Sequence, residues 1–465
     1  MLPVTLAQIA AATGGRVHGD PEVLVTAPAS VDSRSVAAGG LFVAVAGERA
    51  DGHAFAASAA TAGAAAVLAT RPTAAPTVVV DDVVAALGRL ARHLLDRLPD
   101  LRVLALTGSQ GKTGTKDYLA AVLSAAGPTV ATSGNLNNEL GVPLTVLRAT
   151  AETAYLVVEM GARHVGNIAY LCGVAPPQVA AVINVGTAHL GEFGSREAIA
   201  RAKGEIVEAL PDSGVAVLPA DDPIVTGMAS RTEARVLTFG PGADVAFRSW
   251  VADDLFRMSF ELGYDGAWSP VRLFQPGAHQ MVNAAAAAAM AIAVGVPLLD
   301  VTRSLTAARP ASRWRMEVHD RPDGVTVIND AYNANPESMA AALDTLDGIG
   351  RSGRRTIAVL GEMKELGAEH ETAHRRVGAT AAAAGVDTLV VVGSEAAAIG
   401  DGTAAVAQWQ GRLVLAAGRE EALAWVRENV AAGDVVLVKA SRGVALEHVA
   451  DGLLEPAPGN EGESR

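Results

Sequence analysis

Between Val103 and Lys116 the chain reads VLALTGSQGKTGTK: an apolar run, two glycines separated by Ser109 and Gln110, then a lysine and a threonine. Without a Cβ, Gly108 and Gly111 let the backbone approach phosphate oxygens, and a helix starting just after them points free N–H groups at the same anion. Lys112 would place a point charge on the outer phosphates, and the Thr113 hydroxyl would be a ligand for Mg²⁺. Thr107, Gly108, Ser109, Gln110, Gly111, Lys112, Thr113 and Gly114 are therefore the candidate nucleotide loop. The general phosphate loop has four residues between its glycines, so this one is shortened. The alternative, a glycine-rich turn with a chance Lys-Thr, explains the order strand, turn, helix less well.

Other residues could work beside such a loop. Glu159 ends the apolar run AYLVVE, and an acid at the end of a strand next to a phosphate loop is the usual second anchor for Mg²⁺. A lone glutamate there is more often a cap or turn carboxylate. His189 follows the run AVINVGTAH; alone, such a histidine is more often structural than a ligand. Lys203 is one of only five lysines among 37 basic residues, which suggests a place where a guanidinium cannot serve. Its surroundings, ARAKGEIVEAL, otherwise read as a solvated helix face. His279 and Asn283 lie four apart at a helix start and share one side of it. Asp330 ends another strand, where an acid suits a ribose hydroxyl. The segment DAYNANP is also a good turn and helix start, with Pro336 at the first helical position.

These residues need a scaffold. At 465 residues the chain is long enough for about three domains. Half of it is hydrophobic and 19% is charged, which excludes a disordered protein. The net charge of −13 argues against general binding to nucleic acid or anionic membrane, so a phosphate site must be a local concentration of positive groups. One cysteine, Cys172, excludes an internal disulfide and a thiolate metal cluster; it fits a reducing cytoplasm and reads as a small core residue. The first 20 residues carry no basic residue before Arg16 and do not resemble an export signal. The alanine-rich stretch from Ala284 to Leu299 is interrupted by Gly295 and Pro297 and is too weakly apolar to span a bilayer. The expectation is a soluble, cytoplasmic protein without membrane insertion or nucleic acid partner, and a monomer by default.

The pattern of runs predicts three α/β domains in series. Residues 1–100 mix short strands such as GGLFVAVAG with alanine-rich helices. Residues 101–312 alternate β-branched runs with helices, for example Thr115 to Ala126 and Ser195 to Leu210, as a buried parallel sheet requires. Within them, Asp244 to Leu262 alternates apolar and polar residues and predicts a small antiparallel insert. Residues 313–454 repeat strand and helix in the manner of a doubly wound, Rossmann-like sheet. Residues 455–465 read as a flexible tail.

The shortened loop, together with VDSRSVAAGGLFVAVAGERADGHAF, GNLNNELGVPLTVL, VVEMGARHVGNIAYL, NVGTAHLGEFGSREAIARAKGEI, INDAYNANPESM and LGEMKELG, resembles the Mur ligase family of ATP-dependent amide-bond-forming enzymes. Within that family it is most similar to the branch that adds D-alanyl-D-alanine. The resemblance runs from Val31 to Gly367, with an echo at VLVKASRG, and so covers essentially the whole chain. It implies an N-terminal domain for the UDP-substrate, a central ATP-binding domain and a C-terminal domain that closes on the nucleotide. It also implies ATP as substrate, two Mg²⁺ ions, and a reaction joining D-alanyl-D-alanine to UDP-N-acetylmuramoyl-tripeptide through an acyl phosphate, the step that makes the pentapeptide precursor of peptidoglycan.

Site roles follow from the same resemblance. The positions matching Glu159 and His189 help hold the metals, and the lysine matching Lys203 is carbamylated by CO₂ and so becomes anionic. Asn283 matches the residue that contacts the base, and Arg313 the arginine that reaches the γ-phosphate from the second domain boundary. Ser33 and Arg34 fall where the uridine diphosphate is held, Asn137 and Asn138 near the sugar-peptide. Lys439, Ser441 and Arg442 fall near the incoming dipeptide or phosphate. Two other readings compete: a sibling ligase adding a single amino acid, and a phosphate-loop switch read by a partner. The diaminopimelate-adding sibling's Asp-Asn-Pro-Arg motif is absent, and three domains suit a three-substrate ligase better than a switch.

Overall fold

The computed structural model describes residues 1–47, 50–187 and 190–455. His189 and the tail beyond Glu455 lie outside the described residues. Among those described, three large sheets follow one another along the chain. The first pairs Arg16–His18, Thr77–Val79, Ala66–Ala69, Leu41–Val43 and Ala29–Ser30, parallel except at the Arg16–His18 edge. The helix Val83–Leu95 shares an apolar cluster with its buried residues Leu41, Val43, Leu68 and Val78. Asp82 caps that helix by accepting from the Val84 and Ala85 N–H groups, and six of its eight buried positions, 83, 86, 87, 90, 91 and 94, follow helical spacing. The same stripe joins an apolar cluster with Val142, Leu144 and Ile168, so the first and second units share a core. Each buried leucine or valine there contributes roughly 1.5–3 kcal/mol.

The second sheet runs in the order Arg235–Phe239, Val215–Pro219, Val179–Val182, Arg102–Thr107, Tyr155–Glu159, Thr129–Ala131, all parallel. Its central strands are largely apolar and buried, because both faces are covered. On one face, the helix His279–Ala293 packs against the helix Lys112–Ala126 with Ala284 to Ala291 fully or almost fully buried. Alanine there is a close-approach device: short side chains let the two helices come together and bring Asn283 onto the phosphate loop. The predicted antiparallel insert is present as Ala246–Ala252, Arg257–Tyr264 and Ala267–Pro276.

The third sheet has the order Glu317–Asp320, Thr326–Asn329, Val435–Lys439, Thr356–Leu360, Thr388–Val392, Arg412–Ala416. It is parallel except for its first strand, which forms an antiparallel edge. That strand, EVHD, is half-buried and short, so no apolar run announces it. Cys172 is buried, and burial pushes its thiol up to about 12, in keeping with a core residue. Among the described residues no helix is long and apolar enough to cross a membrane.

Candidate active site

The strand Arg102–Thr107 lies between Val179–Val182 and Tyr155–Glu159, and the chain leaves its carboxyl end directly into the glycine turn. Open α/β sheets bind ligands at this edge. Gly111 adopts φ +78, and a Cβ there would meet Asn283 Oδ1 at 2.5 Å, so both conformation and space demand glycine. Asn184, at the end of the neighbouring strand, clamps the turn. Its Oδ1 accepts from the N–H groups of Ser109 and Gln110, each at 3.0 Å, and its Nδ2 donates to the Gln110 carbonyl at 3.2 Å. The Ser109 hydroxyl accepts from the Gly186 N–H at 2.9 Å. Lys112 donates to the Gly108 carbonyl at 2.7 Å, which holds its ammonium across the loop.

Glu159 ends its strand almost fully buried, at 2% exposure, and each oxygen has a partner. Oε2 accepts from the Thr113 hydroxyl at 2.9 Å and Oε1 from Asn137 Nδ2 at 2.8 Å. A hydroxyl and a carboxylate in contact beside a phosphate loop form the hard-oxygen set that suits Mg²⁺. Lys203 projects into the same cleft from the helix Arg196–Glu208, 5% exposed and with no hydrogen bond or ion pair among the described residues. Burial, and then the charge of Lys112, hold its amine well below the usual lysine range. A Cβ at the next residue, Gly204, would displace the Arg231 guanidinium that packs against it. Burial also lowers Lys112, with Glu159 opposing and Arg315 adding to the shift. An acidic protein thus concentrates Lys112, Lys203 and Arg315 in one place.

A cleft of about 690 Å³ joins this edge to the carboxyl edge of the third sheet. Asp330 follows the strand Thr326–Asn329 and is clamped there: Lys439 Nζ donates to its Oδ2 at 2.6 Å, and the Met316 N–H donates to its Oδ1 at 3.0 Å. Lys439 also donates to the Asn333 carbonyl at 2.9 Å and is 2% exposed. Ser441 accepts from the Lys364 N–H at 2.9 Å. Arg442 pairs with Glu447 and lies over the Trp314 ring at 4.2 Å. His279 is neutral at physiological pH, because burial pulls its imidazole down to about 4 against the opposing charge of Asp330. The two halves are tied by Glu337, whose Oε1 accepts from both the N–H (2.7 Å) and the hydroxyl (2.6 Å) of Thr187.

The family models match three consecutive stretches of this chain. One described as the Mur ligase family catalytic domain covers residues 29–105, the Mur ligase middle domain covers 106–291, and the Mur ligase glutamate ligase domain covers 314–442. The chain belongs to the Mur ligase family. It is 46% identical over 500 aligned residues to the UDP-N-acetylmuramoyl-tripeptide–D-alanyl-D-alanine ligase of Mycobacterium tuberculosis, covering 98% of both chains. The Escherichia coli protein of the same name is 38% identical over 462 residues, with 98% of this chain and 99% of that one covered. Among solved structures, MurF from Acinetobacter baumannii superposes with a TM-score of 0.87 at 35% identity, covering 98% and 99% of the two chains. MurF ligase from Thermotoga maritima in complex with ADP gives 0.79 at 32% identity, covering 92% and 97%.

Most residues expected of a Mur ligase site meet in the one cleft: the loop from Ser109 to Gly114, Glu159, Lys203, Asn283 and Asp330 line it. So do Asn137, Asn138, Lys439, Ser441 and Arg442. Thr107 is fully buried beneath the loop. Arg313 does not line the cleft. Its side chain is exposed and lies over Trp314 at 5.1 Å, whereas Arg315 lines the cleft and stacks on Tyr332 at 4.0 Å. Left-handed φ values at Trp314 (59) and Met316 (49) turn the chain here, so residues two apart no longer share a face. Ser33 and Arg34 lie outside this cleft, in the turn after the strand Ala29–Ser30, with Arg34 exposed and paired to Asp32 at 2.8 Å. Sequence reasoning missed Asn184, whose only signal was its place at the end of a buried strand, and Arg315, which stands in the same SRWRME segment as Arg313.

Proposed function

We propose that this Mur ligase joins the amino group of D-alanyl-D-alanine to the terminal carboxylate of UDP-N-acetylmuramoyl-tripeptide, with conversion of ATP to ADP and phosphate. The observation that carries this reading is identity of 46% and 38% across essentially the full length of two ligases so named, rather than over the nucleotide loop alone. ATP and Mg²⁺ are used generally in the family.

A carboxylate does not react with an amine at neutral pH, so one of its oxygens first attacks the γ-phosphorus and ADP leaves. The amine then attacks the acyl carbon, and the tetrahedral intermediate collapses with loss of phosphate. The protein's part is positioning and charge balance. The glycine turn, held by Asn184, orients the phosphates, and Lys112 swings from its own loop's carbonyls onto them. Thr113 and Glu159 would hold Mg²⁺, which when bound offsets the phosphate charge. Lys203 is placed to be carbamylated: a buried amine held neutral can add CO₂ and release a proton, and the anion so formed would face a second Mg²⁺ together with His189. Asn283 and Asp330 flank the nucleoside, and Arg315, rather than Arg313, reaches the γ-phosphate. Lys439, with its donors on Asp330 and Asn333, positions Asp330 instead of touching the dipeptide. Ser441 and Arg442 are left to meet the dipeptide, Asn137 and Asn138 the sugar-peptide, and Ser33 and Arg34 the uridine diphosphate.

The test is release of phosphate with each substrate omitted in turn. Rapid release is expected only when ATP, UDP-tripeptide and D-alanyl-D-alanine are all present. Steady hydrolysis of ATP alone, unaffected by the other two, would mark a nucleotide switch instead.

A further inference from the structure

In the third sheet, the parallel neighbours Thr356–Leu360 and Thr388–Val392 end side by side, and the helix His370–Ala383 that connects them begins at the same edge. Three side chains meet there: Glu362 just beyond the first strand, His370 at the start of the helix, and Glu395 in the turn Ser394–Ala396 after the second strand. One ligand atom from each lies within 4.8 Å of the others. None of the three lines the nucleotide cleft, which from this loop receives Lys364, Glu365 and Leu366.

We infer that Glu362, His370 and Glu395 bind a divalent transition-metal ion, with Zn²⁺ or Mn²⁺ as the fitting chemistry, at a site separate from the nucleotide's Mg²⁺. One imidazole with two carboxylates suits these ions better than Mg²⁺, which favours oxygen alone. The imidazole is set in place beforehand. His370 stacks on His374 with ring centroids 4.2 Å apart, and His374 is fully buried. His374 Nε2 accepts from the Met363 N–H at 2.9 Å, which leaves Nδ1 to donate to the His370 carbonyl at 2.6 Å. His374 thereby holds the backbone at both ends of the loop and packs against the His370 ring.

Among the described residues, no hydrogen bond reaches the side chains of Glu362, His370 or Glu395. His370 Nε2 stands 3.5 Å from Glu362 Oε1 and Lys364 Nζ 3.7 Å from Oε2, ion-pair distances without hydrogen bonds. Glu395 is exposed and makes no hydrogen bond or ion pair among the described residues. The loop between Glu362 and His370 also leads to the second unit: Glu365 pairs with Arg163 at 3.3 Å, and Gly367 lies against Gly191. An ion at its two ends would stiffen the segment through which the third sheet meets the second.

The experiment is calorimetric titration of Zn²⁺ into metal-free, nucleotide-free full-length protein in excess Mg²⁺, with His370→Ala and Glu395→Gln alongside. One equivalent should bind to the parent, and each variant should weaken it by about tenfold or more. Saturating Zn²⁺ should raise the unfolding midpoint of the parent and leave that of the variants in place. Equal affinity in all three proteins overturns the site, as does no stoichiometric binding to the parent. Binding lost in Glu159→Gln but kept in the two variants would place the ion at the nucleotide loop and overturn it equally.

Discussion

Lys112→Ala is expected to stop ligation while leaving the fold intact. The side chain lines the cleft and lends no apolar contact to either core; its hydrogen bonds go to the Gly108 and Ser109 carbonyls of its own loop. The charge is hard to replace, because the phosphoryl group carries its negative charge through the transfer in a site where Lys203 is held neutral and Arg315 comes from a different element. Loss of one such electrostatic partner costs on the order of 3–4 kcal/mol, a fall of about 10²–10³ in turnover. Steady-state rates and a thermal melt check both halves. A soluble Lys112→Ala protein with near-normal turnover would remove the phosphate-loop assignment.

Lys203 carries the second large effect, and the sign of its shift gives the reason. Burial and the neighbouring Lys112 both disfavour the ammonium, so the folded protein holds this amine neutral at pH values where a free lysine is protonated. A neutral amine is what addition of CO₂ requires. Lys203→Arg should therefore be nearly inactive despite its similar size, because a guanidinium stays protonated and cannot be carbamylated. Lys203→Ala should be equally poor, and a short carboxylic acid in the medium should restore part of the activity by supplying an anion in the vacated space. Removal of dissolved CO₂ should lower the parent's rate, most at mildly acidic pH, where carbamates are lost fastest, and should leave the variants unchanged. Full activity in Lys203→Arg would make this an ordinary buried lysine.

How much of this was legible beforehand depended on the kind of signal. The strand, turn and helix around Gly108 were readable because their residues are local: an apolar run, a glycine at a left-handed φ and a helix start within 14 positions. The antiparallel insert was readable for the same reason, from alternating apolar and polar residues between Asp244 and Leu262. Arg315 was not, because two left-handed residues redirect the chain over four positions and no periodicity survives that. Asn184, and the hold of Lys439 on Asp330, were not legible for a different reason. What each does is set by a partner distant in sequence, Ser109 in one case and Asp330 in the other, and only strand order brings them together. The Glu337–Thr187 tie between the two halves was likewise invisible, since Glu337 alone looks like an acid in the first turn of a helix.

The central claim is that the tripeptide's carboxylate is activated by phosphorylation, and the position of its oxygen reports on that directly. UDP-tripeptide labelled with ¹⁸O in the terminal carboxylate is incubated with the enzyme, ATP and D-alanyl-D-alanine, and both products are weighed by mass spectrometry. Transfer through an acyl phosphate carries one labelled oxygen into inorganic phosphate and leaves the other in the new amide. Inorganic phosphate free of label, in a reaction that still yields the UDP-linked pentapeptide, would contradict the account.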